Sequence, residues 1–97
     1  MKGYEVMERN PLIEYNDGLV ITYSDLKGNE DAKYITVYLE KPNKSKTDFD
    51  SAQIVFPGAK FEQVVGFSND YLEKMRSKIT KMGNHALLWA IEDAATI

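Results

Sequence analysis

The sequence predicts an α+β fold: a four- to five-stranded, mainly antiparallel sheet in meander order, with one or two C-terminal helices packed on one face. Turn residues separate short apolar runs over residues 1–67, and the apolar period changes from two to three and four after that point. The 97 residues are enough to bury one modest core. We therefore expect one domain over residues 1–97, β-rich over 1–67 and helical over 68–97.

The first hairpin has the clearest local signal. Asn16-Asp17-Gly18 lies between the apolar runs Leu12–Tyr15 and Leu19–Tyr23. Gly18 can adopt the positive φ that a three-residue hairpin turn with a bulge requires. These residues predict two antiparallel strands joined at Gly18.

The later strands are predicted from alternation and from turn residues. A polar turn at Lys27–Asp31 precedes Lys33–Glu40, which alternates at period two, and residues 41–50 form a polar loop. Ser51–Phe56 is the next strand, and it ends at Pro57-Gly58, a pair suited to the centre of a type II turn.

Residues 61–67 fit two structures. Phe61, Val64 and Val65 share a helical face, whereas the run Val64–Phe67 also suits a short strand. We favour the strand, because the turn before it then closes a hairpin.

A helix is predicted to start after Ser68, a good N-cap residue, with Asp70 in its first turn. The residues on its apolar stripe recur at spacings of three and four: Leu72, Met75, Ile79 and Met82.

The end of this helix leaves two alternatives at Gly83-Asn84. A single helix over residues 68–96 measures about 44 Å at 1.5 Å per residue, longer than the roughly 32 Å span of a compact domain of this size. Glycine just past the last stripe residue is a common stop signal, so we expect a break there. Otherwise the helix continues and projects apolar surface beyond its own domain. In both cases Leu87, Leu88 and Ile91 fall outside the stripe and need a covering surface.

Composition excludes several classes of protein. With no cysteine, the chain has no disulfides, thiolate metal sites or cysteine nucleophile, and a net charge of −3 argues against a strongly basic nucleic-acid binder. Glu5 and Glu8 interrupt any apolar signal sequence, and no window reaches the roughly 18 apolar residues of a membrane span. We expect a cytoplasmic protein with no membrane partner.

No grouping of residues predicts catalysis, a metal site or a cofactor. His85 is the single histidine, and a structural role is favoured because no nucleophile or acid stands at a recognisable spacing from it. The acidic turn with Asp25, Asn29, Glu30 and Asp31 does not match a calcium loop, so a solvated turn is favoured.

Charge is distributed unevenly along the chain. Residues 1–40 carry a net charge of −4, residues 41–81 a net charge of +3, and residues 82–97 a net charge of −2. A row of lysines suits phosphate contacts, although lysines also mark the solvent side of ordinary helices. The candidate anion-binding residues are Lys44, Lys46, Lys74, Lys78 and Lys81.

The strand Lys33–Glu40 is predicted to place two tyrosines on an open sheet face. Ile35, Val37 and Leu39 point to one side, while Tyr34 and Tyr38 point to the other. Exposed tyrosines suit a dimer contact, simple cross-strand packing or the stacking of nucleic-acid bases, and the first two are favoured over base stacking.

These observations predict a small non-catalytic interaction or regulatory module, expected to form a homodimer or to bind an unidentified protein partner. The predicted interface residues are Leu87, Leu88, Trp89 and Ile91, together with Tyr34 and Tyr38. The alternative is a nucleic-acid-binding module that combines the lysine row with the sheet tyrosines. An enzyme acting through Glu40 or Asp50 is a third interpretation, although nothing in the sequence pairs these two acids.

Overall fold

One antiparallel sheet and one long helix account for the regular structure. The computed structural model describes residues 9–42 and 49–95. In chain order the elements are β1 (Arg9–Glu14), β2 (Val20–Ser24), β3 (Lys27–Asn29), β4 (Ala32–Pro42), β5 (Phe49–Phe56), β6 (Lys60–Val65) and α1 (Asn69–Ala95). The strand order is β1-β2-β4-β5-β6, and β3 pairs with β4. The predicted α+β class and meander are confirmed.

The first hairpin forms where the sequence predicts it. Gly18 has a φ of +96°, and its N–H donates to the carbonyl of Tyr15 at 3.0 Å. The Asp17 carboxylate accepts a hydrogen bond from the Leu19 N–H at 3.1 Å and lies 3.4 Å from Lys41 Nζ. These two contacts, the backbone one being stronger, lower the pKa of Asp17 below its ordinary value. The side chain thus joins the turn to the end of β4.

The predicted turn at Lys27–Asp31 contains a strand of its own. β3 pairs with the start of β4, with Lys27 opposite Tyr34 and Asn29 opposite Ala32. Asn29 Oδ1 accepts hydrogen bonds from the N–H groups of Asp31 and Ala32, at 2.9 and 3.0 Å, and closes a tight connection.

The polar loop predicted over 41–50 is shorter, because both of its ends are strand. Lys41 pairs with Asp50, and Pro42 pairs with Phe49. Residues 43–48 lie outside the described part of the chain. The sequence pattern did not indicate these pairs because the added residues place no side chain in the core: Pro42 and Phe49 are exposed, and Lys41 and Asp50 are charged.

The strand predicted for residues 61–67 is confirmed as β6, which spans Lys60–Val65. In the turn before it, Gly58 has a φ of +105°, the sign that the predicted turn requires, and the Phe56–Pro57 peptide bond is cis. Phe61 pairs with Ile54 and packs against the core.

The core lies between one face of the sheet and α1. On β4, Ile35, Val37 and Leu39 are fully buried, as their alternation predicts. The remaining buried apolar residues are Leu19, Ile21, Tyr23, Ala52, Ile54 and Phe56 from the sheet side, and Leu72, Met75, Ile79, Ala86 and Ala90 from the helix.

The helix begins as predicted. Ser68 Oγ accepts a hydrogen bond from the Tyr71 N–H at 3.1 Å, which is the N-cap contact. Tyr71 stacks on Phe67 with ring centroids 5.3 Å apart, and Lys41 Nζ lies 5.0 Å from the Tyr71 ring. The first turn of α1 is therefore tied to the end of β4.

The expected break at Gly83-Asn84 is wrong, because α1 continues to Ala95 as one helix of 27 residues. Gly83 is buried, and a Cβ at this position would overlap the ring of Phe56, which is itself fully buried. The glycine therefore allows the helix to approach β5 closely instead of ending the helix. At 1.5 Å per residue the helix measures about 40 Å, close to the longest extent of the molecule, 43 Å.

Replacing Gly83 with alanine tests this contact. We expect Gly83→Ala to lower the free energy of unfolding by about 1–2 kcal/mol net, because overlap of the new methyl group with the buried Phe56 ring costs up to about 3 kcal/mol. Alanine's advantage in helix propensity, about 1 kcal/mol, opposes this loss. Urea unfolding measures the difference. The control is Asn84→Ala, one residue further on and exposed, which should stay within about 0.5 kcal/mol of the parent. A Gly83→Ala variant as stable as the Asn84 control would contradict the close approach.

Candidate interaction surface

The apolar surplus predicted for the C-terminal half of the helix is present. Leu87 is half-buried against the core. Leu88, Trp89 and Ile91 are 57%, 46% and 38% exposed. Trp89 is therefore half in solvent. A single subunit does not cover these side chains.

The exposed residues divide into two groups around the helix. At about 100° per residue, Leu88 and Ile91 lie about 60° apart, and Leu87 lies about 40° from Ile91. We call Leu87, Leu88 and Ile91 the outer apolar stripe. Trp89 lies about 160° from Ile91, and its ring is 6.0 Å from that of His85. One flat partner surface therefore cannot cover the stripe and Trp89 together.

An open, nearly flat depression, which we call the shallow groove, lies along the N-terminal half of the same helix. Its volume is about 570 Å³, and it is lined by Glu73, Arg76, Ser77, Thr80, Lys81 and Asn84. Arg76 forms an ion pair with Glu73 at 3.1 Å, and its guanidinium lies 4.9 Å from the Phe61 ring. The groove is therefore bounded on one side by Arg76, which leans toward β6.

The three helical lysines among the candidate anion-binding residues share the outward side of α1. Lys74, Lys78 and Lys81 are all exposed, and none forms an ion pair within residues 9–42 and 49–95. Lys44 and Lys46 lie outside the described residues. The helix thus presents three free cations in one row.

The sheet face opposite the helix carries the two predicted tyrosines. Tyr34 is exposed, whereas Tyr38 is half-buried under the Arg9 guanidinium, whose Cζ lies 4.0 Å from the ring centroid. Arg9 also forms an ion pair with Glu40 at 3.1 Å. The Tyr38 ring therefore already has a cation on one of its faces, where a stacked base would otherwise lie.

The structure does not bring the lysine row and the tyrosines together. Tyr38 points away from the helix because its neighbours Val37 and Leu39 point toward it. Lys78 and Lys81 point away from the sheet, since Ile79 between them is buried against it. The two groups lie on opposite sides of the molecule.

A cavity of about 300 Å³ opens beside the last turns of α1, and no sequence pattern indicated it. Asn10, Asp25 and Leu26 line it from the sheet side, and Ala90, Asp93 and Ala94 line it from the helix. The Asn10 side chain donates to Asp25 Oδ1 at 3.0 Å and to the Tyr23 carbonyl at 3.1 Å. Burial, with smaller contributions from the cavity residues Asp93 and Asp25, raises the pKa of the Tyr23 hydroxyl.

The other candidate polar residues are dispersed. His85 is exposed in the middle of α1 and caps no helix end. Asp25 lies at the cavity, away from the turn formed by Asn29 and Asp31. Across the described ranges, no three His, Cys, Asp or Glu side chains are grouped to hold a metal ion.

The two acids of the third interpretation, Glu40 and Asp50, point to opposite faces of the sheet. Glu40 pairs with Ser51, while Asp50 pairs with Lys41, one position along the ladder. The pair therefore cannot act on one substrate atom as acid and base.

The chain matches no family model, no curated protein and no solved structure with which it was compared. Within the described residues, α1 is too polar to cross a lipid bilayer, and no other helix is present there.

Two leucines on the same helix test the placement of the outer apolar stripe. Leu72→Ala should lower the free energy of unfolding by about 2–5 kcal/mol, because Leu72 is buried in the core. Leu88→Ala should change it by no more than about 0.5 kcal/mol in dilute solution. Chemical unfolding at low protein concentration measures both. Equal losses would show that Leu88 is enclosed within one subunit.

Proposed function

We propose that this protein is a small non-catalytic protein–protein interaction or regulatory module that self-associates as a homodimer through the C-terminal half of α1. The observation that carries the proposal is the exposure of Leu88, Trp89 and Ile91 on a helix whose other side is fixed in the core. Exposed apolar residues that cluster on a rigid element are typical of protein interfaces.

The outer apolar stripe is a better centre of contact than Trp89, because its side chains can be buried together. A half-exposed leucine still gains about 1 kcal/mol when the rest of its side chain leaves water. Association costs more than one such side chain returns, so several must be buried together. Leu87, Leu88 and Ile91 lie side by side and satisfy that condition, whereas Trp89 points elsewhere.

Two further parts of the proposal concern the sheet face and the setting. Tyr34 and Tyr38 provide a second surface on which an unidentified protein partner would meet the Arg9–Glu40 ion pair. The proposed location is the cytoplasm, with which the cysteine-free composition is compatible.

Sedimentation velocity over a wide concentration range tests the self-association. We expect a species larger than the 11.1 kDa monomer, and we expect Leu88→Asp to remove it by burying a charge in the contact. The matched control is Val65→Asp on β6, because Val65 is 59% exposed and Leu88 57%. A monomeric parent chain at millimolar concentration would contradict the proposal. Loss of the dimer in the Val65→Asp variant but not in the Leu88→Asp variant would show that the interface lies on the sheet and not on the helix.

The alternative proposal is a nucleic-acid-binding module, and the row of three free lysines on α1 supports it. Lys74, Lys78 and Lys81 are suitably placed to follow a phosphate backbone. The sheet tyrosines lie on the other side of the molecule, so the lysine row would have to bind without them.

Fluorescence anisotropy with a labelled oligonucleotide tests this alternative. If it holds, binding falls steeply with added salt, and Lys78→Glu weakens it while Tyr38→Ala leaves it unchanged. An equal loss in both variants would require a strand that wraps around both faces. Absence of binding at about 50 mM salt, where phosphate contacts are strong, would exclude the alternative.

A further inference from the structure

We propose that the second copy docks antiparallel along α1, so that the outer apolar stripe of each subunit fills the shallow groove of the other. This inference rests on the proposed self-association and specifies its geometry. The occupant of the groove is therefore the same helix of a second chain, reversed in direction.

The groove and the outer apolar stripe lie on one line along one side of the helix. Ser77, Thr80 and Asn84 line the groove, and Leu88 and Ile91 continue the same line at steps of four and three. This three-and-four period is the one that lets two helices pack along their length. Small and polar side chains occupy the first half of the line, and large apolar ones occupy the second.

In an antiparallel pair, the contacts between the stripe of one subunit and the groove of the other are all related by one two-fold axis. When two copies run antiparallel about the level of residue 86, Leu88 lies opposite Asn84 of the partner subunit. Ile91 then lies opposite Thr80 of the partner subunit, and Ala95 opposite Ser77 of the partner subunit. One two-fold axis therefore brings each large side chain to a short one, as an isologous interface requires.

Opposite charges on one rim of the helix also favour the antiparallel direction. Lys81 and Glu92 lie on one rim of this line, about 20° apart around the helix, and neither forms an ion pair within the described residues. Counted along the chain, the midpoint between Lys81 and Glu92 lies within one residue of position 86, the centre of the antiparallel pair. Antiparallel docking thus sets Lys81 against the partner's Glu92 on both sides of the axis, whereas in a parallel pair the two Lys81 side chains lie at the same level on opposite rims and neither meets Glu92.

Trp89 stays outside this contact, because it points away from the line of Asn84 and Ile91. Leu87 lies on the other side of this line from Lys81 and Glu92, close to the two-fold axis, where it contacts Leu87 of the partner subunit. Three of the four predicted helix residues are therefore buried in the dimer and the fourth is not.

Single-cysteine variants test the arrangement, since the chain has no cysteine of its own. Lys81→Cys and Glu92→Cys chains are mixed and treated with a short bismaleimide. We expect the mixture to give several-fold more cross-linked dimer than either variant alone, and the mixed dimer retains one Lys81–Glu92 pair. The control mixture uses Lys74→Cys with Glu92→Cys. Lys74 is on the same exposed rim but is displaced by about 10 Å along the axis at 1.5 Å per residue.

Each outcome decides a separate claim. Strong cross-linking of Lys81→Cys with itself would indicate parallel docking and overturn the inference. A dimer in sedimentation that gives no more cross-link in the mixture than in the control would also overturn it, while the proposed self-association stands. A chain that stays monomeric in sedimentation would overturn both.

Discussion

The contact between the Gly83 backbone and the Phe56 ring sets the position of the helix on the sheet. Phe56 is fully buried at the end of β5, and the missing side chain at Gly83 gives its ring the space it occupies. Ala86 and Ala90 continue the same close approach with small side chains. Because the helix lies this close to the sheet, its buried residues reach the core without a break in the helix. Its solvent-exposed side therefore continues without interruption to Ala95.

Local signals predicted most of the fold, and long-range contacts account for the errors. The turn at Gly18, the N-cap at Ser68 and the alternation of β4 are decided by neighbouring residues, so the sequence indicated them correctly. A glycine within a helical pattern has two meanings, a stop or a close approach. The partner that decides between them is Phe56, far away in sequence. The pairing of Pro42 with Phe49 is likewise set by the ladder.

The sequence predicted that the C-terminal half of the helix has apolar residues left uncovered, but not how they are arranged around it. Apolar residues on more than one side of the C-terminal half indicated that something must be covered, and the exposure of Leu88 and Ile91 agrees. The sequence did not show that Trp89 stands apart, nor that the lysines and tyrosines lie on opposite faces. The cavity at Asn10, Asp25 and Asp93 joins three distant segments, and no single stretch carries a signal for it.

Continuity of the helix links the core to the proposed dimer. A two-fold interface must be complementary to itself, so one copy has to carry both the groove and the residues that fill it. α1 carries the groove before Gly83 and the apolar stripe after it, on a single rigid rod. A break at Gly83 would have turned the two halves away from each other and destroyed that match. Gly83 has no side chain, which lets the helix lie against Phe56. The same glycine therefore also keeps the groove and the outer apolar stripe on one line.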